Sequence, residues 1–105
     1  MNELSLMSET PDLLAPGRKR LVLIVEDEYV NRELLKAYLE EDYELIFAED
    51  GTGALSVIRE KSETLSLVLL DLLLPGMGGM DVLREIKKDK DLARIPRARF
   101  FYFFS

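Results

Sequence analysis

Two stretches decide the reading: LVLIVEDE at residues 21–28 and LSLVLLDLLLPG at residues 65–76. Each is a β-rich apolar run that stops on a carboxylate. Glu26 and Asp27 close the first, Asp71 closes the second, and a helical pattern follows each. A continuous apolar run such as residues 21–25 marks a strand buried on both faces, which is the habit of parallel sheets flanked by helices. Parallel strands point the same way, so their C-terminal ends share one edge, where open α/β sheets bind ligands. Three carboxylates gathered there repel one another unless something positive sits among them. The sequence therefore implies a small acidic pocket suited to a hard divalent cation, with Asp71 as the candidate nucleophile.

Outward from these runs, strands and helices alternate. Residues 28–42, EYVNRELLKAYLEED, place Val30, Leu34 and Tyr38 on one stripe with Asn31, Leu35 and Leu39 beside it, which is helix spacing. Residues 43–48 read as a second strand, and Glu49-Asp50-Gly51 as the turn after it. Ala54, Leu55 and Ile58 recur at helical intervals, residues 67–70 give a third strand, and Pro75-Gly76 with Gly78-Gly79 mark a loop. A third amphipathic helix is expected over 80–92, with Val82, Leu83 and Ile86 on one face. Strands alternating with helices at this spacing predict an α/β fold with a parallel sheet and right-handed crossovers.

Residues 1–20 lack a sustained period and contain Pro11, Pro16 and Gly17, so they read as a flexible N-terminal extension. A short docking helix carrying Leu4, Leu6, Met7, Leu13 and Leu14 is the alternative. Residues 97–105, RARFFYFFS, are the anomaly: an atypical aromatic tail that is either a fourth strand or an unnatural end. An aromatic terminal strand without gatekeeping charges also offers a route to self-association.

Composition narrows the chemistry. The 105 residues suit one domain, with 14 basic against 20 acidic residues and a net charge of −6. That balance argues against direct nucleic-acid or anionic-membrane binding, which needs clustered Lys and Arg. Neither Cys nor His occurs, which excludes disulfides, thiolate or imidazole metal ligation, a Ser-His-Asp triad and a phosphohistidine on this chain. No apolar run approaches the roughly 20 residues of a membrane helix. The first residues lack the basic start and apolar core of a signal peptide, so a cytoplasmic location is expected.

Carboxylates and backbone oxygens remain to carry a site. Mg²⁺ takes oxygen ligands, commonly one or two carboxylates with water and phosphate oxygens. Asp27 and Asp71 can bind it directly, Glu26 directly or through water, and the Leu73 backbone carbonyl is a further candidate ligand. With the cation in place Asp71 can approach an anionic phosphoryl donor and attack in line, giving an acyl phosphate. Plainer roles compete. Glu26, Asp27 and Glu28 can be an acidic first helical turn that caps and favours the helix dipole, and Asp71 can hold a turn at a strand end. A charge inside an otherwise buried run is expensive, however, which weighs for a function at Asp71.

Taken together, VLIVEDEYVNRELL, YELIFAEDGTGAL and LVLLDLLLPGMGGMDVLREIK strongly resemble the receiver domain of bacterial two-component response regulators, over residues 21–96. The resemblance implies a flavodoxin-like doubly wound sheet, incomplete at about three to four of five strands. It makes Asp71 the phospho-acceptor and Glu26 and Asp27 the metal-binding pair. It also implies a sensor histidine kinase or phosphotransfer protein as the partner. Such a module is no enzyme beyond its own phosphorylation and dephosphorylation.

The chain also departs from the family pattern. Five residues after Pro96, where an ungapped count places the family's switch hydroxyl, stands Phe101. Ser105 comes too late, no residue takes the place of the later Lys, and Gly78 replaces a usual loop acid. These departures suggest a C-terminally truncated receiver. They keep a second function open: a non-phosphorylatable module used for docking, or a defective product. GTGALS at 51–56 has a glycine-turn look but no Walker lysine, so helix entry is the expected reading. DLLLP lacks the second aspartate of a haloacid-dehalogenase-type phosphatase.

Overall fold

A computed structural model describes residues 19–74, 76–96 and 99–103. The chain runs β1 (Arg20–Val25), α1 (Tyr29–Leu39), β2 (Tyr43–Ala48), α2 (Gly51–Lys61), β3 (Leu65–Asp71), α3 (Gly79–Lys88), a 3₁₀ turn (Leu92–Arg94) and β4 (Phe100–Phe103). All strand pairs are parallel, in the order β2-β1-β3-β4. The chain leaves β1 for β2 on one side and then crosses to β3 on the other. The direction of winding therefore switches between β1 and β3, where open sheets of this kind leave a crevice for a ligand.

Register sorts the side chains. Leu23 lies opposite Ile46 and Val68, and Val25 opposite Ala48 and Leu70. With a side-chain period of two, these residues share one face, and they join Ala54, Leu55 and Ile58 of α2 and Val82 and Ile86 of α3 in the hydrophobic core. Val22 and Ile24 point to the opposite face and are equally buried, as the unbroken apolar run of β1 requires.

Local chemistry accounts for the element ends. The Asp50 carboxylate accepts the Gly53 amide at 2.7 Å and opens α2 as its N-cap, so GTGALS is helix entry. The helix expected over 80–92 stops at Lys88. Asp89 is extended (φ −88°, ψ 117°) and its Oδ1 accepts the amides of Asp91 and Leu92 at 2.9 and 3.2 Å. A short side chain competing for backbone donors ends the helix and starts the 3₁₀ turn. β3 begins two residues before the apolar run expected at 67–70, because Leu65 pairs with Leu21 across a register shift.

The helix expected after β1 forms, as α1, and the structure sorts its two rows. Val30, Leu34 and Tyr38 are exposed at 64%, 53% and 79%, and the helix buries none of its residues. The neighbouring row of Asn31, Leu35 and Leu39 is the half-buried one. Periodicity identified a helix but not which of two adjacent apolar rows meets the sheet. The aromatic tail does form a strand, β4, parallel to β3. Residues 1–18, including the alternative docking helix, lie outside the described residues, as do residues 97, 98, 104 and 105.

Candidate metal centre

The acids sit where the two central strands end. Val25 and Leu70 are partners in register, so the residues that follow, Glu26 and Asp71, stand side by side at the end of the two strands. Both are fully buried, and Asp27 is partly buried. One carboxylate oxygen from each of Glu26, Asp27 and Asp71 lies within 4.8 Å of the others. The structure thus brings together the three acids that the sequence singled out.

Glu26 and Asp71 are held by nearby backbone and side-chain groups. Glu26 is tethered through its amide to the Ala48 carbonyl at 3.0 Å. Its Oε2 accepts the Glu28 amide at 3.1 Å and its Oε1 the Asn31 side-chain amide at 3.2 Å. Asp71 Oδ1 accepts the Leu73 amide at 2.8 Å, so Asp71 does hold the turn after β3. Turn-holding and convergence with the other acids coexist in the same carboxylate. The helix-capping role for the trio is not seen: Glu28 occupies the N-cap position of α1 without a side-chain cap bond, and the first turn of α1 carries no acid.

Burial pushes the Glu26 carboxyl above the usual carboxylate range; the hydrogen bond with Asp27 and the charge of Asp71 push the same way, against the Glu28 amide and Asn31. Three crowded acids of this kind gain from a positive charge among them. The converging donors are all carboxylate oxygens, and two of the three acids are withdrawn from water. That set fits a hard, oxygen-seeking divalent cation such as Mg²⁺.

A close backbone approach shapes the other wall. A Cβ on Gly79, the first residue of α3, would stand 2.8 Å from the Asp71 carbonyl oxygen and 2.9 Å from Leu72 Cα. Glycine lets α3 start directly against the strand end that carries Asp71. Gly76, with φ +65°, reverses the loop between them. At the α3 start the Gly78 amide donates to Asp81 Oδ2 at 3.2 Å, so Gly78 serves helix entry.

Strand register sets which residue of β4 neighbours Asp71. Phe103, not Phe101, lies opposite Asp71, and the Leu72 amide donates to the Phe103 carbonyl at 2.8 Å. Phe101 pairs with Leu69 instead. The described residues of β4 are FFYF, without an aliphatic hydroxyl, and Ser105 lies outside the described residues.

Sequence reasoning missed two neighbours of the acids. Asn31, read only as part of a helical stripe, bonds Glu26. Arg32, which the sequence reading did not single out, reaches back to the end of β1 and donates to the carbonyls of Glu26 and Asp27 at 3.1 and 2.8 Å. The available signal was their place in the first turn of the helix directly after the acids.

Comparison with known proteins agrees with this geometry. Residues 22–97 match the family model of the response regulator receiver domain. The chain belongs to that receiver family. A receiver is a module of two-component signal transduction, as the resemblance implied. Response regulator Rcp1 of Synechocystis is 38% identical over 85 residues, which cover 73% of this chain and 58% of that protein. The receiver is therefore similar to only part of such relatives, spanning less than two thirds of their length. Among solved structures, the response regulator TrrA of Thermotoga maritima, in complex with Mg²⁺-BeF, is 44% identical with a TM-score of 0.59, covering 69% of this chain and 62% of that one. The receiver domain of a Pseudomonas aeruginosa sensor histidine kinase, with magnesium in its active-site cleft, is 26% identical with a TM-score of 0.67, covering 81% and 66%. Among the described residues of this receiver, no helix is long and apolar enough to cross a membrane.

Proposed function

We propose that this receiver accepts a phosphoryl group on Asp71 from the phosphohistidine of a sensor histidine kinase or phosphotransfer protein. The convergence of Glu26, Asp27 and Asp71 oxygens within 4.8 Å carries the reading. Glu26, Asp27, Asp71 and the Leu73 carbonyl would hold Mg²⁺, which when bound supplies charge neutralisation for an incoming anionic phosphoryl group. A carboxylate oxygen of Asp71 attacks phosphorus in line, forming the new P–O bond. The donor's bond to phosphorus breaks, and its leaving group departs with the bonding pair. The Leu73 amide at 2.8 Å from Asp71 Oδ1 orients the carboxylate. The cytoplasm is the compartment that suits such a donor.

A docking-only role is the second reading, favoured by the FFYF strand that sets Phe103 beside Asp71. One experiment separates the two. Incubation with Mg²⁺ and a small-molecule phosphodonor should add one phosphoryl group by intact mass, removable by alkali and absent from Asp71→Asn. An unmodified wild type, or an equal adduct on the Asn variant, overturns the phospho-acceptor reading.

A further inference from the structure

Arg32 stands in the first turn of α1 with its side chain only 16% exposed. Its Nη1 donates to two consecutive carbonyls, Glu26 at 3.1 Å and Asp27 at 2.8 Å. The same Nη1 approaches Glu49 Oε1, in the loop after β2, at 3.9 Å, and the guanidinium carbon lies 5.8 Å from the Tyr29 ring centroid. One planar group therefore ties together the loop after β1, the start of α1 and the loop after β2. A guanidinium is suited to this, because its donors are fixed in a plane and it remains charged at any ordinary pH.

Two effects of Arg32 on a bound cation oppose each other. Its positive charge near the acids should weaken cation binding, although Glu49 offsets part of it. Its grip on the Glu26 and Asp27 carbonyls restrains the peptide planes from which those two carboxylates project, and that should strengthen binding. Glu26 has further restraints in the Glu28 amide and Asn31, whereas Asp27 is only partly buried. We infer that Arg32 is a positioning residue of the metal centre, whose hold on the Glu26 and Asp27 carbonyls outweighs its charge repulsion. The inference rests on the reading of the three acids as that centre. Outer partners that orient metal ligands typically change metal affinity by ~10–100-fold when removed.

The sign of the effect is the test. Mg²⁺ is titrated calorimetrically into the full chain, Arg32→Lys and Arg32→Met, each checked by a thermal melt in chelator. Lysine keeps the charge but loses the planar pair of donors; methionine loses both. Positioning predicts that both variants bind Mg²⁺ at least about 10-fold more weakly. Tighter binding by Arg32→Met, with Arg32→Lys unchanged, would show that only repulsion matters and overturn the inference. Unchanged affinity in both folded variants would overturn it as well. If Arg32→Met does not fold, Arg32→Lys alone decides between weakened and unchanged binding. A wild-type chain that takes up no Mg²⁺ removes the metal-centre reading, and this inference with it.

Discussion

On one face of the sheet, α2 and α3 press Ala54, Leu55, Ile58, Val82 and Ile86 onto Leu23, Val25, Val68 and Leu70, and every one of these residues is buried. On the other, α1 buries none of its residues, Leu34 and Tyr38 stand in solvent, and Phe101 on the edge strand is 59% exposed. Both faces are served by amphipathic helices of similar length. The difference is coverage: α2 and α3 pack against each other as well as the sheet, whereas α1 meets mainly β2. A helix face is buried only as far as neighbours close over it. The metal centre draws on both sides, because β1 and β3 are anchored by the closed core while Asn31 and Arg32 reach the acids from the open one.

The contrast should be largest in core truncations. Ile58→Ala should cost ~2–5 kcal/mol in urea unfolding, while Leu34→Ala on α1 should stay within about 0.5 kcal/mol. Equal losses would break the comparison. Metal addition comes next: Mg²⁺ at about 100 times its dissociation constant should stabilise the chain by ~2.7 kcal/mol over chelator, and Asp71→Asn should shrink that gain. Gly79→Ala should cost about 1–3 kcal/mol, because the added methyl meets the Asp71 carbonyl. It should also weaken Mg²⁺ binding in the same titration, which Ile58→Ala should not.

The smallest effect is a pH slope. Glu26 has its folded-state pKa raised by burial, so its contribution to stability is fully present below the ordinary carboxylate pKa and is lost as pH rises through the raised value. In chelator, Glu26→Gln should therefore melt above the unsubstituted chain on the high-pH side of that window, the two curves converging below it. Parallel curves across the window would show that the folded state does not disfavour the Glu26 charge.

Much of this was legible in the sequence. The run of residues 21–25 announced a strand buried on both faces, and β1 is so buried over residues 22–25. Asp71 interrupting Leu70 and Leu72 marked a buried acid, and it is fully buried. Less legible were features that depend on which surfaces meet. The helix after the third strand stops early because the Asp89 side chain captures the Asp91 and Leu92 amides, a contest between local bonds that apolar spacing does not report. Counting from Pro96 put Phe101 at the hydroxyl position, whereas strand register put Phe103 beside Asp71.

Alternation of apolar runs with helical periods determined by itself that this chain is a parallel α/β sheet with acids at its ligand edge. Period, hydropathy and charge are properties of a local stretch and survive without knowledge of its neighbours. Tertiary structure alone decided that Val30, Leu34 and Tyr38 face water, that Phe103 sits across from Asp71, and that Arg32 clasps the carbonyls of Glu26 and Asp27. These are pairings between segments, fixed by register and by which surfaces are covered, and a one-dimensional pattern carries neither.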